Sequence, residues 1–141
     1  MATLTKDAPR AYQLGDLEDY PVIASDIIYE GAAVGENASG YARPLAAGDV
    51  FLGFATGVVD NSAGAAGDLN VQVRSKGRVQ LAVGSLAVTD NDRVAVYASD
   101  DDTFTKTATS NSLIGYVSRF ISSGVGVVEF DAALAKAALQ A

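Results

Sequence analysis

Two tight groups of carboxylates stand out in the sequence, Asp90-Asn91-Asp92 and Asp100-Asp101-Asp102. Paired carboxylates can do general acid/base work when a fold holds them across a cleft, but no spacing in this chain reports such a pair. Three consecutive Asp residues cannot all point one way in an extended chain, whereas Asp90 and Asp92 share a side. A calcium loop needs carboxylates at alternate positions, Gly at the sixth and Glu at the twelfth, and neither group supplies that. Both therefore read as turns, where Asp and Asn bond their own backbone. Gly64-Ala65-Ala66-Gly67 has the look of a short phosphate-clamping loop. It lacks adjacent cations and a following helix pattern, so it reads as a flexible connection. The chain contains no His and no Cys. That removes Ser-His-Asp and Cys-His catalysis, thiolate zinc, iron–sulfur clusters and imidazole-held metals. No catalytic residue, cofactor site or metal site is assigned, and the chain is not expected to be an enzyme.

The cations are few and mostly scattered. Ten Lys and Arg face 17 Asp and Glu, a formal net charge of −7. Such a balance repels phosphate backbones, so nucleic acid is not an expected partner. Arg74, Lys76 and Arg78 form the one local group, flanking Gly77 in an apparent turn. The simpler reading is a solvated hairpin tip; the sharper one is a small basic contact point for an acidic partner. No segment approaches the roughly 20 apolar residues that cross a bilayer, so no membrane partner is expected. The first residues lack the basic-then-apolar layout of an export signal, which suggests a protein made and used without crossing a membrane. Asn37-Ala38-Ser39 is then a chance match to a glycosylation acceptor.

The elements that would position these residues are strands. A length of 141 residues suits one domain. Residues 1–21 show no clean period and read as an extended N-terminal arm. Strand-like runs follow at Val22-Ile23-Ala24, Ile27-Ile28-Tyr29 and Tyr41 to Leu45, with Pro44 suiting an edge. Val50 to Ala55 is apolar on both faces and predicts a buried strand, continued by Val58-Val59, with Gly53 where something packs close. Asn61 to Asp68 is a loop. Leu69, Val71 and Val73 alternate with polar residues, and Val79, Leu81 and Val83 resume the pattern beyond Lys76-Gly77, which predicts a hairpin with one buried face. Val94 to Ala98, Thr103 to Thr107, Leu113 to Ile121 and Val125 to Phe130 complete the strands. Phe51, Phe54, Tyr97, Phe104, Tyr116, Phe120 and Phe130 fall inside them as core candidates. Turn residues at intervals of about a dozen positions argue an all-β sandwich or barrel over residues 22–131. Residues 132–141 form a short helix with Asp131 as N-cap, which needs something to dock on, either its own domain or a neighbouring subunit.

Several elements resemble a known group. Gly31-x-x-Val34-Gly35, Arg43-Pro44-Leu45-x-x-Gly48-Asp49-x-Phe51-x-Gly53-Phe54-Ala55 and Val59-Asp60-Asn61 are similar to segments of tailed-bacteriophage capsid cement (decoration) proteins. So are Gly64-x-x-Gly67, Val71-x-Val73-Arg74-x-x-Gly77, Val96-Tyr97-Ala98-Ser99-Asp100-Asp101-x-Thr103-Phe104 and Ile114-Gly115-x-Val117. The resemblance runs from about Ile28 to Asp131. It implies a small jelly-roll-like β-sandwich or barrel that sits on the outer surface of the virion as a homodimer or homotrimer. It also implies bridging of adjacent major capsid protein subunits, so that the shell withstands the pressure of packaged DNA. It carries no catalytic residues. From the physics of the chain, the expected capsid contacts are Leu4, Pro9, Arg10, Tyr12 and Leu14 in the arm, and Arg74, Lys76 and Arg78 in the basic group. Two other classes stay open: a virion-surface module recognising host glycans, and a carboxylate-based hydrolase.

Overall fold

The computed structural model describes residues 5–7, 9, 10, 15–90 and 94–140. The fold is all-β and sandwich-like, with one C-terminal helix. The first sheet contains β1 (Leu17–Pro21), β3 (Ala33–Glu36), β4 (Ala42–Pro44), β5 (Val50–Ala55) and β7 (Asn70–Arg74), in the order β1-β7-β5-β3-β4. The second contains β8 (Lys76–Ala82), β9 (Ala95–Ala98), β10 (Phe104–Thr105), β11 (Ser112–Ser122) and β12 (Val125–Asp131), in the order β10-β9-β11-β12-β8. A small ribbon joins β2 (Asp26–Ile28) to β6 (Val59–Asn61). The two large sheets therefore draw on successive halves of the chain, and all their strand pairs are antiparallel. This winding by halves differs from the interleaved strands of a jelly roll.

Each sheet curls until its outer strands touch. Val22, just past β1, bridges Ala42 of β4, and Val83, just past β8, bridges Phe104 of β10. Curling at both ends shortens the run of unpaired backbone that an open edge would offer. It also explains two separate apolar clusters. One, around Phe51, Phe54, Phe104, Phe130, Val117 and Val128, lies between the sheets; the other, around Val22, Ile28, Val34, Leu52, Val71 and Val73, belongs to the first sheet and the ribbon alone.

The central strand β5 serves both clusters. Phe51 and Phe54 enter the first, while Leu52 and Ala55 enter the second. Such a division needs a bulge, and one is present: Val34 faces Gly53 and Gly35 faces Phe51, which leaves Leu52 without a partner on β3. Gly53 has φ +137°, and a Cβ there would overlap the carbonyl oxygen of Arg74. The close approach expected at Gly53 is thus the seam between β5 and β7. The four Phe rings pack mostly edge-to-face, Phe54 lying 4.9 Å from Phe130 and 5.5 Å from Phe51.

Three expectations change. Residues 17–21, read as part of the arm, form β1, paired with β7 from Leu17↔Arg74 to Pro21↔Asn70. β1 carries little apolar surface of its own, so its pairing is what makes it a strand. The expected hairpin around Gly77 is not one. β7 pairs with β1 and β5, β8 pairs with β12, and Ser75 carries the chain from one sheet to the other. Val59 belongs to the ribbon strand β6 rather than continuing β5.

The terminal helix α1 (Ala132–Gln140) follows β12 directly and docks on its own domain. Asp131 Oδ1 accepts from the backbone N–H of Ala133 (3.0 Å) and Leu134 (3.2 Å), the cap expected from sequence. Ala132 and Ala135 are buried in the cluster between the sheets.

Candidate interaction surface

Ser75 ties three distant segments together where the chain changes sheets. Its backbone N–H donates to Asp16 O (2.8 Å), its hydroxyl donates to Gly15 O (3.0 Å), and its own carbonyl accepts from Ala132 N (2.8 Å). The last described residues of the arm, the sheet crossing and the first turn of α1 therefore meet at one corner. Sequence reading singles out the cations on either side of Ser75 but not Ser75 itself. Its role depends on contacts 60 residues away, which no local pattern reports.

The three basic residues do not form one patch. Arg74 and Arg78 line a cleft of about 390 Å³, together with Glu30, Thr56 and Val79, above Phe54 and Phe130. Lys76 lines a different cleft of about 300 Å³, with Lys136, Glu18, Asp131 and Gly15. The separation follows from the crossing, where Gly77 (φ +145°) carries no side chain and the Arg74 stem and the Phe130 ring border the space it leaves. In the second cleft two lysines face two carboxylates, so it is balanced in charge. In the first, Arg74 Nη1 lies 3.6 Å from Asp16, and Arg78 Nε donates to Glu129 Oε1 at 3.0 Å. Both arginine side chains remain more than half exposed, so neither pair contributes much stability.

Of the arm residues expected to contact a partner, Pro9 and Arg10 are exposed, while Leu4, Tyr12 and Leu14 lie outside the described residues. The carboxylate groups behave as turn chemistry. Asp90 accepts from Lys106 Nζ (2.9 Å) and from Ala87 N (2.8 Å), which holds its carboxyl below the usual range; Asp92 lies outside the described residues. Asp100 accepts from Asp102 N and from the Thr103 hydroxyl, which lowers it as well. Asp101 is pushed up, first by burial and then by the neighbouring Asp100. Among the described residues no group of three or more metal-ligating side chains comes together.

Residues that carry the family resemblance serve the fold. Arg43 donates through Nε (2.9 Å) and Nη2 (2.7 Å) to the buried carboxylate of Asp49, which also accepts from Ala46 N (3.0 Å). This charged clamp closes the turn between β4 and β5. Asn61, 2 % exposed, donates to Ile23 O and Ala65 O and so holds the 61–68 loop, which sequence alone reads as a flexible connection. Comparison with protein-family models, curated proteins and solved structures finds no match to this chain.

Proposed function

We propose that this chain is a structural cement protein of a bacteriophage head. It binds the outer surface of the shell and bridges adjacent major capsid protein subunits. The observation that carries this reading is the meeting of the arm root and the basic crossing at Ser75. A bridge needs an element that reaches and a rigid base that anchors it, and here both leave the same corner of a curled, double-sheeted domain. The resemblance of the segments between Ile28 and Asp131 to cement proteins supports it independently. The thermodynamics is mass action. A protein that binds only the assembled shell adds free energy to that state, and many symmetric copies multiply a modest contact.

The test is association with expanded phage heads lacking decoration, followed by imaging and heating. Full-length protein should occupy regular sites and raise the temperature at which heads rupture. Deleting residues 1–14 spares β1 and the Ser75 bonds, so that variant should stay folded while its occupancy drops at least tenfold. Failure of the full-length protein to associate overturns the reading. Equal occupancy by the truncated protein removes the arm from it.

A further inference from the structure

We infer that the two large sheets are two copies of one folding unit, repeated in tandem at a spacing of about 60 residues and closed off at its end by α1. Counted along the chain, the strands of the first sheet lie side by side in the order first, fifth, fourth, second, third, and so do those of the second. Each unit curls shut at the same place. Val22, after the first strand, bridges Ala42 of the third, and Val83 bridges Phe104 in the second unit. The hydrogen bonds beside the bridges recur as well. Val22 N–H donates to Leu69 O and Ile23 N–H to Ala42 O, while Val83 N–H donates to Gly124 O and Gly84 N–H to Phe104 O.

From Ala32 to Ala55 the match runs at a constant shift of 62 residues, onto Val94 to Val117. Ala33 faces Phe54 and Val34 faces Gly53; Ala95 faces Tyr116 and Val96 faces Gly115. The bulge coincides, since Ile114 lacks a partner on β9 just as Leu52 lacks one on β3. The turns coincide too. Asn37 N–H donates to Tyr41 O and Ser99 N–H to Thr103 O; Asp49 N–H donates to Ala46 O and Asn111 N–H to Ala108 O. Gly48 and Ser110 occupy the same left-handed position, at φ +90° and +62°. A Cβ on Gly115 would overlap the carbonyl of Glu129, as one on Gly53 would overlap that of Arg74. The same positions line both interiors, with Val22, Val34, Leu52, Ala55 and Val73 matched by Val83, Val96, Ile114, Val117 and Val128, all buried. A need to bury one face fixes a strand only to within two-residue steps, so it does not bring bulge, turns and close-packed glycine into one register. A common unit does.

The departures from the repeat are additions. Between β5 and β7 the shift falls from 62 to 55, so the first unit carries seven extra residues in the stretch with β6 and the 61–68 loop. The arm precedes the first unit alone, and α1 follows the second alone. On the first unit's outer face, Phe51 and Phe54 are buried against Phe104 and Phe130 of the second. Their counterparts Leu113 and Tyr116 line a groove with Leu134, Ala135 and Ala138 of α1 instead, and the Tyr116 hydroxyl donates to Glu129 Oε2 at 2.6 Å. The helix thus borders the face on which a further unit would stack, which is the part a terminal cap plays in a repeat series.

Two measurements on the full-length protein test the repeat, and neither involves phage heads, so it stands or falls apart from the cement reading. Scalar couplings across hydrogen bonds, read on isotope-labelled protein, should show Ala55–Ala32 with Val117–Val94, and Asp49–Ala46 with Asn111–Ala108. A bond displaced by one or more residues in either unit would overturn the common register. The second measurement exchanges equivalent residues. Ser110→Gly should raise the urea midpoint, because glycine accepts a positive φ at no steric cost. Gly48→Ser should lower it by a similar amount, since a Cβ at position 48 meets nothing closer than Ser110 O at 4.0 Å. The chain carrying both changes should unfold at the parent's midpoint. A double variant still displaced by more than half of either single shift would mean that the two turns are not equivalent, and would sink the repeat, as would single variants that leave the midpoint unmoved.

Discussion

At the scale of single residues, the seam of the molecule is Gly53. It is where β5 bulges so that Leu52 turns into one cluster and Phe51 and Phe54 into the other. Its positive φ and the Arg74 carbonyl against it leave no room for a Cβ. Gly53→Ala should cost about 3 kcal/mol, combining backbone strain with displacement of β7. Denaturant unfolding measures this, and a loss under about 1 kcal/mol would mean that the seam relaxes and does not constrain the fold. The substitution would also reach the cleft above Phe54 and Phe130, because Arg74 lines it. The close approach at Gly53 was legible, since a glycine inside an otherwise unbroken apolar run marks a bulge or a place where backbone comes near. What approaches it was not, because the neighbour is a backbone atom of Arg74, far along the chain and on another strand.

Elements divide by whether their cause is local. The helix α1 is written in its own residues, an Asp followed by Ala, Leu and Lys, and its cap forms as those residues dictate. Asp131→Ala should cost about 1 kcal/mol, and Asp131→Asn should recover most of that because the amide oxygen caps nearly as well. Paired measurement of denaturant stability and far-ultraviolet helix signal separates a frayed helix from a weakened β12. A loss equal in both variants would place the effect on charge and not on capping. Pro44 is equally local: it lies in β4, at the edge of the first sheet, where its missing N–H is harmless. The all-β class and the β5 and α1 elements were therefore readable. β1 was not, because Leu17-Glu18-Asp19-Tyr20-Pro21 becomes a strand only by pairing with β7. The hairpin expectation fails for a related reason. Period-two alternation reports that a strand has one buried face and is silent about which sheet it joins. Of the candidate surface, the cations could be named from sequence. Their division between two clefts could not, because it follows from the change of sheet at Ser75.

For the whole molecule, winding by halves raises the question of whether the halves are independent. The first sheet and the ribbon hold a cluster that the second sheet does not enter, so the N-terminal half has a core of its own. Against separation stands β5, whose residues divide between both clusters, with Ala33 and Leu45 also reaching across. The helix binds the halves further, since Ala132 donates to Ser75 at the crossing while Ala132 and Ala135 pack between the sheets. An N-terminal half alone would expose Phe51 and Phe54, and the C-terminal half would expose Phe104 and Phe130 against nothing. At about 1.5–3 kcal/mol for each ring fully taken out of water, the four rings together are comparable to the roughly 5–15 kcal/mol by which a domain is stable. The two halves should therefore unfold as one unit. Methyl signals of Val71, inside the first sheet, and of Val117, in the second, should vanish at the same denaturant concentration. Loss of Val71 ahead of Val117, or the reverse, would mean that the shared strand does not couple them. A single transition also suits a bridging protein. Under the bridging role proposed above, load entering at the arm root would reach both sheets through Ser75 and β5, so it would be opposed by the stability of the whole domain and not by that of one sheet.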